Sequence, residues 1–403
     1  MSTSVAQALL DKPIVNPHLA APLKLGSLEL KNRVVMASLT RNRATAGAAN
    51  GDMLKYYVQR ASTGLILSEG TLVTPQGIEW PEAPGIYDAR TTGTDGKSSS
   101  ASIGWKSNVD AVHKAGGLIF AQLWHLGRVA HPLLQGSVPA PGPSAVKAEG
   151  GKFRHLVGEP GYVTPHAIAD PSQYALLYRK AAEHAKAAGF DGVELHGANG
   201  YLVNQFIDGV SNVRTDKYGG SPENRARFAL EAIDHLIDVF GAGRVGIKLS
   251  PSGGYNTMRG GAADLPVYTH LVKELEKRGI AYIQVVRFLP DFSAGGEAVD
   301  VGVLRALVSK TKFFANGGFT AAEAEEWVKD GKADAIVFGR SVLNTPDFAL
   351  RAVRGVEPNK DTKWGELYVV KDGDRSIGYS DYPFWGCAEC NKVGQSGEGC
   401  PHN

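Results

Sequence analysis

The sequence predicts a single α/β domain folded as a (β/α)8 barrel, and three observations carry that reading. Eight short apolar segments alternate with helical stretches along the 403-residue chain, and no composition break separates one part from another. The longest Gly- and Pro-rich gaps both follow predicted strands. That pattern favours one closed barrel over an open doubly wound sheet, and places the long loops at the C-terminal face where barrel sites sit.

Taken in order, residues 1–18 read as a loose N-terminus, 19–382 as the barrel and 383–403 as a cysteine-containing tail. Residues 23–30 alternate apolar and polar around Gly26-Ser27, the signature of a β-hairpin, placed here as a cap on the bottom of the barrel. Strands are expected near 34–37, 65–68, 118–123, 192–195, 245–249, 282–286, 312–315 and 335–338. Helices are expected, among others, at 173–188, 222–240, 266–277 and 321–329. The gaps at 73–101 and 124–171 become loops after strands two and three, the second a lid or small subdomain over the site.

Composition excludes several function classes. The chain is 43% apolar and 21% charged, as a soluble globular protein is, and its 49 glycines point to many tight loops. A net charge of +2 from 43 basic and 41 acidic residues gives no field to draw nucleic acid or an anionic membrane. The N-terminus lacks a basic n-region and a long apolar core, and no apolar run approaches membrane-spanning length, so the expected compartment is the cytoplasm. The 3 cysteines, Cys387, Cys390 and Cys400, fall in the tail and cannot brace the body. They read as reducible surface thiols and not as a zinc site, because the second pair is not on a helix.

Chemistry concentrates in Asp191-Gly-Val-Glu-Leu-His-Gly-Ala-Asn-Gly-Tyr201. The segment starts as a short apolar strand, broken only by Glu194, and ends in glycines and polar side chains. His196 and Asn199 offer two side-chain N–H donors for an oxygen that gains negative charge, with the Tyr201 phenol nearby to deliver a proton. Metal ligation would need further His or carboxylate neighbours, and none is assigned.

Barrels often bind phosphate beyond strands seven and eight. Here those ends read Asn316-Gly-Gly-Phe319 and Gly339-Arg340. Gly317, Gly318 and Gly339 would let backbone N–H groups approach an anion, and Arg340 would add a forked donor. On strand three Phe120, Gln122 and Trp124 share one side, so Gln122 faces the same way as Trp124, a candidate wall for a substrate cavity. Lys248 shares a side with Gly246 and so points into the barrel mouth, where a charge needs a partner. Gly241-Ala-Gly-Arg-Val-Gly246 spells G-x-G-x-x-G but runs from helix into strand, the reverse of the dinucleotide-binding order.

The run from Asp191 to Phe206, continued by Ser211-Asn-Val-Arg-Thr-Asp-Lys-Tyr-Gly-Gly-Ser-Pro-Glu-Asn-Arg-Ala-Arg-Phe228, resembles the signature of the old yellow enzyme family. Further matches extend from about Leu19 to Tyr382. The resemblance implies tightly bound FMN, NADPH or NADH as transient reductant, and an α,β-unsaturated carbonyl or other activated alkene as substrate. It implies carbonyl binding by His196 and Asn199 and protonation of the α-carbon by Tyr201. Flavin contacts would be Ser38, Leu39, Thr40, Gly70, Gln122 and Lys248, with the phosphate at Gly317, Gly318, Gly339 and Arg340. Trp124 and Tyr379 would border the substrate. Lys248 departs from the family, where Arg is expected: charge is kept and the planar fork is lost. A monomer or homodimer is expected. Two other readings use the same residues: an aldolase or isomerase barrel with Lys248 as Schiff-base nucleophile, and a non-catalytic flavin-binding redox sensor switched by the tail cysteines.

Overall fold

Strand β1 (Val34–Met36) starts a run of parallel strands that ends by closing on itself. It is followed by β2 (Leu65–Leu67), β3 (Ile119–Trp124), β4 (Gly192–Gly197), β5 (Val245–Leu249), β6 (Tyr282–Val286), β7 (Lys312–Asn316) and β8 (Ala335–Phe338). Each pairs in parallel with the next, and β8 pairs with β1, Val337 opposite Val35. The computed structural model describes residues 8–96, 103–149, 161–293 and 295–386. The tail thiols Cys387, Cys390 and Cys400 lie outside those residues.

The eight principal crossover helices follow the strands in turn: α1 (Gly51–Val58), α2 (Gly104–Lys114), α3 (Pro171–Ala187), α4 (Pro222–Phe240), α5 (Leu265–Arg278), α6 (Gly302–Arg305), α7 (Ala321–Lys329) and α8 (Arg340–Asn344). Their starts are written in the sequence. Asn50 accepts from the Met53 N–H, Asp170 from Ser172, Ser221 from Asn224 and Thr320 from Glu323. Pro171 and Pro222 occupy the first helical position, where a missing N–H costs nothing. On α4, Ala226, Ala229, Ile233 and Leu236 form the apolar stripe that buries the helix. The rejected glycine motif is the short turn Ala242–Arg244 joining α4 to β5.

Alternation divides each strand between two cores. Outward residues such as Val34, Ile66, Val193, Ile247 and Ile283 pack under the helices. Inward residues Val35, Leu65, Leu67, Phe120, Tyr282, Phe314 and Val337 fill the barrel. The expected hairpin is formed by Leu23–Leu25 and Leu28–Leu30, and its Leu23, Leu25 and Leu30 belong to the same buried cluster as the inward residues. At Gly26 an added Cβ would fall 2.1 Å from the Gly243 carbonyl, next to the start of β5, so the hairpin lies against the N-terminal ends of the strands. Burying Leu25 and Leu30 completely stabilises that placement by about 1.5–3 kcal/mol each.

Part of the stretch expected to be loose is tied down. Val15 and Asn16 donate backbone N–H groups to the Val353 carbonyl, and Glu325 accepts from the backbone N–H groups of His18 and Leu19. No described helix is long and apolar enough to cross a membrane.

Candidate active site

Four inward polar side chains form a connected chain just below the C-terminal mouth. Ser38 Oγ donates to Gln122 Oε1 at 2.5 Å, Gln122 Nε2 donates to Glu194 Oε1 at 2.7 Å, and Tyr282 Oη donates to Glu194 Oε2 at 3.0 Å. Both Glu194 oxygens accept, the arrangement an ionised carboxylate needs. Lys248 is its cation: register places Glu194 beside Gly246 and Lys248 beside His196. Burial raises the Glu194 carboxyl and Lys248 pulls it back down; burial lowers the Lys248 ammonium and Glu194 pulls it back up. Each offsets the other's burial in part, and the net shift stays upward for Glu194 and downward for Lys248. Beside Lys248 across the β5–β6 pairing is Gln284, fully buried with neither amide atom bonded.

Above this layer the end of β4 brings three predicted residues together. The His196 ring is stacked near Trp124, 6.4 Å between centroids, and Tyr201 meets both edge to face, at 4.9 Å from His196 and 5.0 Å from Trp124. Burial, with Lys248 adding to it, holds the His196 imidazole well below its ordinary range, so the ring is neutral. The Ala198 N–H reaches His196 Nδ1 at 3.4 Å, which leaves Nε2 to carry the hydrogen and donate. Burial, followed by Tyr255, Glu79, Tyr162 and Tyr368, pushes the Tyr201 phenol well above its ordinary range, so it stays protonated. Asn199 adopts a left-handed backbone, φ 59°, and its Oδ1 is buried without a partner.

Trp124 packs over Gly70, where an added Cβ would meet the indole at 2.6 Å. A residue with a side chain at 70 would push the ring off the site. Thr71–Leu72 continues the chain and pairs with the end of β3. The loops after β2 and β3 build a small second core from Leu72, Trp80, Trp124, Leu126, Tyr162 and Tyr201, with Tyr368 packed on it. This core walls the triad with aromatic rings.

On the opposite rim, Gly317 and Gly318 have φ of 131° and 65°, values L side chains avoid. A Cβ on Gly317 would lie 2.7 Å from Arg287 Cγ. Arg287 fixes this turn: Nε donates to the Gly317 carbonyl at 2.5 Å, the guanidinium pairs with Glu323, and it covers Phe319 at 3.9 Å. Gly339 stands 3.6 Å, by its missing Cβ, from Leu39 Cδ2, while Ser38, Leu39 and Thr40 are half-buried at the end of β1. Arg340 is exposed, its guanidinium 5.8 Å from the Trp364 ring.

Tyr379 does not join the triad. It is wholly buried, stacked on Tyr56 at 4.2 Å with Arg41 at 4.9 Å from its ring, in a packed cluster behind the β1 and β2 ends. Tyr368, from the same C-terminal segment, is the one that reaches the aromatic wall, 4.5 Å from Trp80. A tyrosine count near the end of a chain cannot separate the two; the ion and ring partners of Tyr379, Arg41 and Tyr56, come from the loop after β1 and from α1. Sequence reasoning also passed over Glu194, whose signal was a lone acid in an apolar strand, and Arg287, Asn256 and Tyr162, which carry no motif. A wider groove of about 690 Å³, between Leu9, Val58, Phe384 and Trp385, contains none of these side chains.

The donor set fits a flat heterocycle with a polar edge and a phosphate tail. Ser38, Gln122 and Lys248 offer hydroxyl, amide and ammonium on one side, Gln284 and Trp124 Nε1 are buried polar groups without partners, and the glycine turn leaves room no other residue would.

Comparison with known proteins agrees. Residues 18–359 match the model of the NADH:flavin oxidoreductase / NADH oxidase family. A probable flavin mononucleotide-dependent alkene reductase of Leishmania infantum is 38% identical, over 90% of this chain and 96% of that protein. Among solved structures, morphinone reductase in complex with tetrahydroNAD aligns with a TM-score of 0.80 at 37% identity, over 92% of this chain and 98% of that one. The old yellow enzyme homologue of Zymomonas mobilis gives 0.82 at 34%, over 91% and 99%.

Proposed function

Since the chain belongs to the NADH:flavin oxidoreductase / NADH oxidase family, in which the old yellow enzyme homologues stand, we propose that it is an FMN-dependent alkene reductase acting on α,β-unsaturated carbonyl compounds. The observation that carries the reading is the meeting of the His196 imidazole and the Tyr201 phenol edge to face at the end of β4, 4.9 Å between centroids, against the Trp124 ring.

Ser38, Leu39, Thr40, Gly70, Gln122 and Lys248 would hold the ring of FMN, and Gly317, Gly318, Gly339 and Arg340 its phosphate. When bound, FMN takes hydride from NADPH or NADH and supplies it to the alkene. Everything else is done by side chains. His196 Nε2 and the Asn199 carboxamide donate to the substrate carbonyl, draw electron density from the β-carbon and hold the charge that builds on oxygen. Tyr201 Oη keeps its proton until the α-carbon can accept it. Trp124, Trp80 and Tyr368 exclude water from that space and favour flat, apolar substrates.

The Schiff-base alternative finds no support. Burial leaves the Lys248 ammonium lowered overall, with Glu194 pulling the other way; what speaks against a Schiff base is the match of residues 18–359 to a flavin oxidoreductase family. Anaerobic NADPH and NADH consumption against a panel of enals, enones, nitroalkenes and quinones tests the proposal: stimulation by enals and enones supports it, and a colourless protein that takes up no FMN ends it.

A further inference from the structure

Asn199 holds an uncommon backbone, and the groups that fix it come from two other loops. Its N–H donates to Ser250 Oγ at 2.8 Å, and its carbonyl accepts from Asn256 Nδ2 at 2.9 Å. A left-handed non-glycine residue persists only where its surroundings over-determine it. Asn256 is itself left-handed, φ 54°, as is Thr257, φ 60°. The approach is close: a Cβ on Gly200 would fall 2.6 Å from Asn256 Cβ.

Asn256 is also gripped from the far side. Its Oδ1 accepts from Tyr162 Oη at 3.0 Å, and its carbonyl, with that of Thr257, accepts from Arg128 Nη2 at 3.2 Å. Arg128 in turn donates to the Val146 carbonyl, and Glu149 N–H to Thr257 Oγ1 at 2.9 Å. One carboxamide therefore joins the β4 loop, the β5 loop and the excursion after β3.

We propose that Asn256 is a positioning residue: by holding the Asn199 carbonyl it aims the Asn199 carboxamide, and it makes carbonyl binding depend on the seating of the β3 excursion. The proposal rests on the assignment of Asn199 as a carbonyl donor. With Asn256 removed, the Asn199 carbonyl loses the donor from the β5 loop, and the peptide to Gly200 is held, among the described residues, only through the Gly200 N–H, which donates to Asn204 Oδ1 at 2.9 Å; the carboxamide then tilts away from its target.

The test uses the FMN-loaded protein with cyclohexanone as a non-reducible carbonyl probe and 2-cyclohexenone as substrate. Asn256→Gly and Asn256→Asp both tolerate a left-handed backbone; the second keeps an acceptor for Tyr162 and loses the donor to Asn199. Each should weaken cyclohexanone binding between about tenfold and a hundredfold and raise KM for 2-cyclohexenone in parallel, with FMN affinity unchanged. In an Asn199→Ala background the Asn256→Gly effect should vanish. Losses that add across the two sites, or intact probe binding in both Asn256 variants while Asn199→Ala loses it, would overturn the positioning role and leave the Asn199 assignment standing. Intact binding in Asn199→Ala would remove that assignment and this proposal with it. Tyr162→Phe, which deletes one bond to Asn256 and nothing at Asn199, should give a smaller loss of the same kind, and it decides the matter if the Asn256 variants fail to fold.

Discussion

The rings of His196 and Tyr201 meet edge to face, 4.9 Å between centroids at 82°. Burial acts on both, in opposite directions: it strips the imidazole of its proton and keeps the phenol's in place. In the proposed function these two neighbours take two roles, a neutral donor for oxygen and an acid for carbon, and the opposite effects of burial suit each to its role.

Replacing Tyr201 with Phe keeps that ring contact and removes only the hydroxyl. Reduction of the flavin by NADPH should stay within about twofold, while reoxidation by an enone slows by about 10²–10⁴-fold. Rapid mixing separates the two half-reactions, and equal losses in both would strike out the proton-donor role.

Lys248 and Glu194 should behave as one unit. Lys248→Met removes the positive charge that offsets the burial of Glu194, and urea unfolding at saturating FMN should show a loss of about 1–3 kcal/mol. Adding Glu194→Gln should recover most of it, since Gln keeps an acceptor for Gln122 and presents an NH2 group from which the Tyr282 hydroxyl can accept by rotating. Losses that sum independently would mean the pair is not coupled.

Glu69 gives a pH dependence of definite sign. Burial pushes its carboxyl from the ordinary 4.5 up to about 7. The folded state therefore binds the proton more tightly than the unfolded chain, and the stability this contributes is lost as pH rises from about 4.5 through about 7. In Glu69→Gln the loss is gone, so its stability relative to the parent should climb by about 3 kcal/mol between pH 4.5 and 8. A difference that stays flat across that range would contradict the burial of an ionisable group there.

The glycine turn makes a further separable claim. Gly317→Ala must strain a backbone at φ 131° and displace Arg287. FMN affinity should fall at least about tenfold while riboflavin affinity barely changes, because the proposed function gives this turn the phosphate and no part of the ring. Parallel titration with both flavins checks this, and equal losses would move the phosphate elsewhere.

The barrel was legible because its signals are local. Apolar runs of four to six residues, helix caps such as Asn50 and Ser221, and the Gly26-Ser27 turn each fix their own segment. The same holds for His196, Asn199 and Tyr201, which share the end of β4 and the loop directly after it. Contacts between distant loops were not legible. Asn256 reaches Asn199 through two consecutive left-handed residues that no pattern announces, and Tyr368 rather than Tyr379 meets the aromatic wall because Arg41 and Tyr56 enclose the other ring. Glu194 could have been found: a lone carboxylate in an inward strand required the cation that Lys248 provides.

The most direct test of the central claim is anaerobic rapid mixing of the NADPH-reduced protein with 2-cyclohexenone, followed by flavin absorbance and product formation, in the parent and in His196→Ala with Asn199→Ala. The account expects stoichiometric reoxidation with cyclohexanone as product, slowed by about 10²–10³-fold or more when the two donors are removed. Reoxidation that proceeds equally fast without them, or reduced flavin that the enone leaves untouched in the parent, would contradict it.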